Sequence, residues 1–107
     1  MTTASSDFLI LDCLTLWVSN LLEQGMAASE ISAAAEHLAQ EMSRRLGVVV
    51  TNEVGLGIVP LNELARVYRD VLGTVNAMFA TFAERAVLMV AGRALDLGSA
   101  DSVLRRD

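Results

Sequence analysis

The 107-residue sequence contains no lysine, one cysteine, one proline and no long apolar run. All eight basic residues are arginine, so these residues cannot complete a phosphate-binding P-loop of the GxxxxGK type. The single cysteine, Cys13, excludes an internal disulfide and suits a reducing compartment, for which the cytoplasm is the default expectation. No apolar run approaches the ~18 residues of a membrane-spanning helix, so we expect no membrane partner.

Positive charge is also scarce, since the formal net charge is −5. This charge argues against nucleic acid as a partner, because sequence-independent binding relies on clustered positive charge. With 53% hydrophobic and 20% charged residues, the composition is that of a globular protein. We predict one α/β domain across residues 1–107, with a polar leader at 1–7 and a tail at 98–107.

Three short apolar runs, separated by helical patterns, are the predicted strands: Phe8–Leu11, Val48–Val50 and Ala86–Ala91. The alternation of strand and helix predicts three mainly parallel strands joined by crossover helices. The second run is expected to be covered on both faces, as in a parallel sheet. Beyond Ala91 the pattern is weak, with only Leu95 and Leu97 alternating with polar residues.

Helix boundaries follow from capping residues, glycine and proline. Three helices are expected: from Leu14 or Thr15 to just before Gly25, from Ser29 as N-cap to Leu46, and from a first turn containing Pro60 to near Glu84. Gly73 lies within the third pattern and suggests a kink or a close helix contact. The tail is either a frayed terminus or a short final helix.

Asp12 ends the first predicted strand, in the pattern Leu9-Ile10-Leu11-Asp12. Hydrophobic residues followed by an acid are typical of a Walker B strand, whose carboxylate reaches Mg²⁺, often through water, beside a nucleotide's phosphates. The alternative is an acid that caps the following helix. The pattern alone leaves both interpretations open.

Thr51, Asn52 and Glu53 end the second predicted strand and precede Gly55 and Gly57. They would supply a hydroxyl, an amide and a carboxylate to one crevice. The alternative is a turn whose polar groups satisfy the loop backbone. Because parallel strands end at the same edge, this crevice is expected to include Asp12, and such edges bind ligands in open α/β sheets.

Two arginines follow on the third predicted helix, Arg66 and Arg69. They could contact phosphate or a neighbouring subunit, but a solvated helix face with ion pairs is the favoured alternative. The only histidine, His37, is expected at the surface or in packing. No base is apparent for Cys13, and no catalytic residue is assigned.

Several segments together resemble the carboxyl-terminal half of the adenosylcobinamide kinase / adenosylcobinamide-phosphate guanylyltransferase family. The segments are Asp12–Leu22 (DCLTLWVSNLL), Val49–Pro60 (VVTNEVGLGIVP), Leu64-Ala65-Arg66, Tyr68-Arg69-Asp70, and Gly73, Val75 and Asn76. The resemblance spans about Phe8 to Leu97. It implies a partial RecA-like P-loop NTPase fold from which the P-loop strand is absent.

The resemblance also implies a chemistry. The family phosphorylates adenosylcobinamide and then transfers GMP from GTP to the phosphate through a guanylylated histidine. It therefore implies GTP or ATP, Mg²⁺, a corrinoid substrate and a trimer-like homo-oligomer. Asp12 matches the family's acidic nucleotide-binding position, and Thr51, Asn52 and Glu53 match its signature, although their individual roles are inferred here from the residue types.

The sequence departs from the family in two respects. The P-loop and the guanylylated histidine belong to the family's amino-terminal half, and His37 follows the Asp12 strand instead of preceding it. We therefore expect the chain alone to be inactive and to associate with the missing amino-terminal half or with another copy of itself. The alternative is a non-catalytic oligomerisation or binding module derived from the family.

Overall fold

A computed structural model describes residues 7–105 of the chain. Its elements are β1 (Leu9–Asp12), α1 (Leu14–Glu23), α2 (Ala28–Ser43), β2 (Gly47–Val50), α3 (Glu63–Phe82), β3 (Ala86–Val90), β4 (Arg93–Leu97) and α4 (Ala100–Leu104). The three predicted strands are all present, as are the three predicted helices. None of the helices within residues 7–105 is long and apolar enough to cross a membrane.

The strands β1 and β2 form a parallel pair, connected through α1 and α2. The register runs from Leu9 opposite Gly47 to Asp12 opposite Val50. The predicted parallel pairing and its crossover helices are therefore confirmed for the first two strands. Because Asp12 is level with Val50, residue Thr51 begins the segment just beyond the edge at which both strands end.

The third predicted strand does not join this pair, which corrects the predicted three-stranded, mainly parallel sheet. Instead, β3 pairs antiparallel with β4 in a separate two-stranded sheet. Ala91 and Gly92 connect these strands with φ angles of 52° and 74°. Two successive positive φ angles are typical of the tight turns that suit a hairpin's twist. The weak alternation of Leu95 and Leu97 thus marks a strand that the sequence prediction omitted.

The core lies between the helices, because α3 packs against both α1 and α2. The buried residues recur at spacings of three and four on each helix, which places them on one face. They are Leu14 and Val18 on α1, Ile31, Ala35 and Ala39 on α2, and Val71, Leu72, Val75 and Phe79 on α3. Leu11 and Val49 pack against this cluster from the parallel strands.

Only one face of the parallel pair is covered. Ile10 is 63% exposed, and Val48 and Val50 are 48% and 42% exposed. These side chains alternate with Leu11 and Val49, which contact the helices. The prediction that β2 is covered on both faces is therefore wrong for the chain by itself, and an apolar sheet face lies open to solvent.

Two helix starts differ from the predictions, and side-chain chemistry explains both. Helix α2 begins after Ala27 instead of Ser29, because the Glu30 carboxylate accepts a 2.9 Å hydrogen bond from the Ala27 N–H. Helix α3 begins after Asn62, whose side-chain oxygen accepts a 3.1 Å bond from the Ala65 N–H. Pro60 therefore lies in the preceding loop and not in the first turn.

Helix α2 is shorter than predicted, and the predicted tail contains a short helix. Helix α2 ends at Ser43, so Leu46 lies beyond it. A short final helix, α4, is present, and the Ser99 hydroxyl oxygen caps it by accepting a 3.1 Å bond from the Ser102 N–H. Residues 1–6 of the predicted leader and residues 106–107 of the tail lie outside the described residues.

We predict that Gly47→Ala destabilises the fold. A Cβ at position 47 would lie 2.4 Å from the Leu9 carbonyl oxygen and 3.2 Å from the Met42 terminal methyl, so the paired strands would have to separate. The expected loss is about 1–3 kcal/mol of unfolding free energy. Denaturant unfolding followed by the fluorescence of the single tryptophan, Trp17, measures it.

The matched control is Gly57→Ala, since a Cβ at that position meets nothing within 4 Å. It should leave stability unchanged or raise it by up to about 1 kcal/mol, because alanine restricts the unfolded chain. Equal stability of the two variants would contradict the register that places Gly47 against Leu9.

Candidate functional site

The candidate site is the segment 51–55, which follows β2 and which side chains of two helices hold in place. On the α1 side, the Thr15 hydroxyl donates to Asn52 Oδ1 at 2.7 Å and accepts from the Asn52 N–H at 3.3 Å. Thr15 lies in the first turn of α1, directly after the carboxyl end of β1. The two strand ends are therefore joined by side-chain hydrogen bonds as well as by the ladder.

On the α3 side, Asn76 contacts two consecutive residues of the segment. Its Oδ1 accepts from the Thr51 hydroxyl at 2.6 Å, and its Nδ2 donates to the Asn52 carbonyl oxygen at 2.9 Å. Asn76 is half-buried, whereas Thr51 and Asn52 are exposed. The segment is thus fixed from α1 and from α3 while the side chains of Thr51 and Asn52 remain accessible to solvent.

Arg69 also holds the segment, seven positions before Asn76 and so on the same side of α3. Its Nε donates to the Val54 carbonyl oxygen at 2.9 Å, and one terminal nitrogen donates to the Gly55 carbonyl oxygen at 3.4 Å. It is half-buried and makes no ion pair with a carboxylate of residues 7–105. The favoured alternative, a solvated face with ion pairs, therefore does not describe Arg69.

The neighbouring Arg66 differs from Arg69. It is exposed, and its side chain makes no hydrogen bond or ion pair within the described part of the chain. The prediction of a solvated helix face therefore fits the exposure of Arg66, but the ion pairs that it included are not formed with residues of 7–105. Contact of either arginine with phosphate or with another subunit remains a prediction.

Glu53 closes a turn within the segment, because its Oε1 accepts from the Gly55 N–H. A Cβ at Gly55 would lie 2.9 Å from that oxygen, so glycine permits the close approach. The alternative of a turn whose polar groups satisfy the loop backbone therefore holds for one of the two carboxylate oxygens of Glu53. Its second carboxylate oxygen makes no hydrogen bond with the described residues.

Asp12 lies at the same edge of the parallel pair, exposed at the end of β1. The alternative that it caps the next helix is wrong, because Cys13 is the N-cap residue of α1 and no side chain caps that end. Its carboxylate makes no hydrogen bond with another residue of 7–105. The edge thus carries an unbonded carboxylate, and the polar segment that follows β2 is held by hydrogen bonds from α1 and α3.

An open cavity of about 520 Å³ lies between the segment and α3. Glu53, Val54, Gly55, Arg69, Asp70 and Gly73 contribute to its lining. A Cβ at Gly73 would meet nothing within 4 Å, and α3 runs without interruption from Glu63 to Phe82. Among residues 7–105, Gly73 therefore marks no close helix contact, and a kink at this position remains a prediction.

No group of three or more histidine, cysteine, aspartate or glutamate residues within 7–105 could hold a metal ion. His37 is exposed on α2, in agreement with its expected place at the surface. Cys13 is only partly buried. A metal at this edge would therefore have at most two side chains of these four types as ligands from the described residues.

The Tyr68 side chain contacts the backbone of Thr15, which is one of the residues that hold the segment. Its hydroxyl donates to the Thr15 carbonyl oxygen at 3.1 Å. Burial, followed by the electrostatic effect of the nearby Cys13, raises the pKa of Tyr68 above its ordinary value of 10.0. The hydroxyl therefore remains protonated, and able to donate, throughout the neutral range.

Asp12 ends β1 at the edge beyond which Thr51, Asn52 and Glu53 follow β2, and the structure adds residues that sequence reasoning did not assign to the site. Thr15 and Asn76 hold the segment, but they lie 37 and 24 positions from Asn52. Both fall within the segments quoted for the family resemblance. Their inclusion in that resemblance is the one signal that could have indicated them.

Comparisons with known proteins agree on one family. The sequence profile described as "Cobinamide kinase / cobinamide phosphate guanyltransferase" matches residues 1–97. The bifunctional adenosylcobalamin biosynthesis protein CobP of Pseudomonas aeruginosa is 41% identical over 92 residues, which cover 83% of this chain and 52% of that protein.

Two further relatives carry the name bifunctional adenosylcobalamin biosynthesis protein CobU. The protein of Salmonella typhimurium is 36% identical over 103 residues, covering 83% of this chain and 57% of that protein. The protein of Escherichia coli is 38% identical over 101 residues, covering 81% and 56%. The chain thus spans about half the length of the curated relatives that it matches.

We predict that the stability of the chain falls as the pH rises above about 10, the unfolded-state pKa of tyrosine. The raised folded-state pKa of Tyr68 means that the native state retains a proton that the unfolded state loses, so stability decreases through this window. Because the chain has one tyrosine, ultraviolet titration of tyrosinate reports Tyr68 alone.

The control for this prediction is Tyr68→Phe, which removes the titrating group and the hydrogen bond to Thr15. Its unfolding free energy should vary less with pH above about 10 than that of the parent chain. A parent titration at the ordinary tyrosine pKa, or the same alkaline loss in both proteins, would contradict the burial of this hydroxyl.

Proposed function

The chain belongs to the cobinamide kinase / cobinamide phosphate guanyltransferase family, and from this premise we propose that it forms the carboxyl-terminal part of a cobalamin-biosynthesis enzyme. The whole enzyme phosphorylates adenosylcobinamide and transfers GMP from GTP to adenosylcobinamide phosphate. The observation that carries the proposal is the polar segment 51–55, held rigidly beside Asp12 at the edge where two parallel strands end.

The fold that we propose for the whole protein is a RecA-like P-loop NTPase fold. The parallel pair β1–β2 and its crossover helices are compatible with a part of such a fold. The position of the segment also supports it, because open α/β sheets bind ligands at the carboxyl ends of their strands. The P-loop strand is proposed to come from the half that this chain does not span.

Asp12 is the residue that we propose for Mg²⁺. Its exposed carboxylate, which neither caps α1 nor bonds to another described residue, fits an ion that commonly uses one or two protein carboxylates and several waters. When bound with GTP or ATP, the ion would neutralise phosphate charge. No group of three or more histidine, cysteine, aspartate or glutamate ligands occurs within residues 7–105, so water and nucleotide would complete the coordination of an ion held by Asp12.

The remaining residues of the site bind and orient the nucleotide. Thr51 and Asn52 present polar groups to solvent from a segment that α1 and α3 hold, which suits catalysis by positioning. Arg66, whose side chain has no partner within 7–105, is the better of the two arginines for phosphate, since Arg69 is engaged with carbonyl oxygens. No residue of this chain is assigned a catalytic role.

We propose that the chain alone is inactive. Its 107 residues contain no lysine for a P-loop, and its only histidine lies on the exposed surface of α2. The complementary half would supply the phosphate-binding loop and the nucleophile. Association with that half, or with another copy in a homo-oligomer, is part of the same proposal.

A chimera tests the proposed function. The matched region of the Pseudomonas aeruginosa relative is replaced by the corresponding residues of this chain, and transfer of GMP to adenosylcobinamide phosphate is measured. We expect the chimera to be active and the isolated chain to be inactive. Asp12→Asn in the chimera should lower transfer by roughly a hundredfold, the usual effect of removing one preorganised electrostatic group.

The control for this substitution is Glu23→Gln, the same carboxylate-to-amide change at an exposed position at the end of α1. It should leave transfer unchanged. An inactive chimera, transfer by the isolated chain, or full activity of the Asp12→Asn chimera would each contradict part of the proposal.

A second candidate function is a non-catalytic oligomerisation or binding module. The open apolar face of β1–β2 favours it, because uncovered sheet faces and edges pair readily with other chains. The two functions are separable by adding the amino-terminal part of the relative in trans. Restored transfer supports a divided enzyme, whereas association without transfer supports the module.

We predict that the isolated chain self-associates through this sheet face. Val48→Thr, which replaces a 48%-exposed apolar side chain on β2 with a polar one of similar shape, should weaken association in sedimentation equilibrium. The control is Val67→Thr on α3, where the side chain is 40% exposed. A monomer at all concentrations, or equal effects of the two changes, would contradict the role of the sheet face.

A further inference from the structure

The backbone groups of segment 51–55 determine which groups of the contacting side chains donate a hydrogen bond and which accept one. The Asn52 carbonyl oxygen can only accept, so the group of Asn76 that contacts it is the amide nitrogen, at 2.9 Å. The carboxamide oxygen of Asn76 then faces Thr51. The Thr51 hydroxyl must therefore donate its proton across the 2.6 Å contact.

On the α1 side, the backbone fixes the direction of one of two contacts. The Asn52 N–H can only donate, so the Thr15 hydroxyl oxygen accepts it at 3.3 Å. The Thr15 hydroxyl also donates to the Asn52 carboxamide oxygen, at 2.7 Å. The carboxamide oxygen of Asn52 is therefore engaged, and its NH₂ group makes no hydrogen bond within residues 7–105.

We propose that the Asn52 NH₂ group is the hydrogen-bond donor that contacts the nucleotide, and that Thr15 and Asn76 are positioning residues that fix its direction. This inference rests on the function proposed above. The ligand group is an acceptor oxygen, either on a phosphate or on the guanine base. Asn52 is exposed beyond the edge where Asp12 also ends its strand, so the donor and the proposed magnesium carboxylate belong to the same sheet edge.

The arrangement exceeds what an exposed turn requires. Four hydrogen bonds from residues of two helices converge on Thr51 and Asn52, although both residues are exposed to solvent. Water could satisfy these groups in an ordinary loop. Fixing them instead preorganises one donor and lowers the entropy cost of binding through it.

Asn52→Asp in the active chimera tests the donor. An aspartate oxygen still accepts from Thr15, but the NH₂ group is replaced by a second oxygen. We expect the dissociation constant for Mg·GTP, measured by calorimetry, to rise roughly 10- to 100-fold, the usual effect of losing a hydrogen bond to a charged group. Inorganic triphosphate and guanosine are titrated separately, and the probe whose affinity falls identifies the acceptor as phosphate or base.

Thr51→Val tests the positioning residues without changing any charge. It removes the hydroxyl that donates to the Asn76 carboxamide oxygen, whereas Thr51→Ser retains it. Thr51→Val should weaken Mg·GTP binding several-fold and Thr51→Ser should restore parent affinity. In the isolated chain, Thr51→Val should also shift the nuclear magnetic resonance signals of the Asn52 carboxamide.

The matched control is Thr81→Val, which removes a 2.9 Å hydroxyl bond to the Ala77 carbonyl oxygen on the same helix, away from the segment. It should change neither Mg·GTP binding nor the Asn52 signals. If Thr51→Val lowers only the melting temperature and leaves the affinity unchanged, Thr51 and Asn76 have a structural role alone.

Further outcomes separate this inference from the proposed function. Parent affinity for Mg·GTP in the Asn52→Asp chimera, with normal transfer, overturns the donor role and leaves the function intact. A chimera that binds Mg·GTP through Asn52 but transfers no GMP supports the contact and contradicts the function. A chimera that binds no Mg·GTP overturns both.

Discussion

The packing of α3 against α1 and α2 is the constraint on which the site depends. Val71, Leu72, Val75 and Phe79 face the core and thereby fix the rotation of α3 about its axis. Arg69 and Asn76 lie three positions before and four positions after Leu72, so they project from nearly the same side of the helix. The apolar contacts of α3 thus place the groups that hold segment 51–55. A change in the core that rotates or shifts α3 would therefore move Arg69 and Asn76 relative to segment 51–55.

The sequence was sufficient to predict the parts of the fold that depend on local patterns. The apolar runs indicated β1 and β2, and their polar ends indicated the edge where Asp12 and Thr51 meet. The hairpin β3–β4 was not predicted, because its turn, Ala91-Gly92, depends on two positive φ angles that an alanine seldom adopts. The periodicity of Leu95 and Leu97 alone was too short to decide between a strand and an irregular tail.

The hydrogen-bond partners of the site could not be predicted from residue type, because each polar group had several possible roles. Arg69 illustrates the difficulty: a guanidinium near a candidate phosphate site bonds to the carbonyl oxygens of Val54 and Gly55. Main-chain carbonyl oxygens of an irregular segment need donors. An arginine on an adjacent helix can supply them without contacting any ligand. Only the spatial relation of α3 to the loop distinguishes this use from anion binding.

The two carboxylates near the edge of the sheet show why position along a strand does not by itself define function. Glu53 directs one oxygen to the Gly55 N–H and so stabilises the turn, whereas Asp12 makes no bond within residues 7–105. A side chain engaged with the backbone keeps its geometry but loses part of its capacity to bind a ligand. A side chain with no such bond keeps that capacity but can rotate. Asn52 combines both properties, because its oxygen is fixed by Thr15 while its NH₂ group remains available. That combination is the basis of the ligand contact proposed for Asn52.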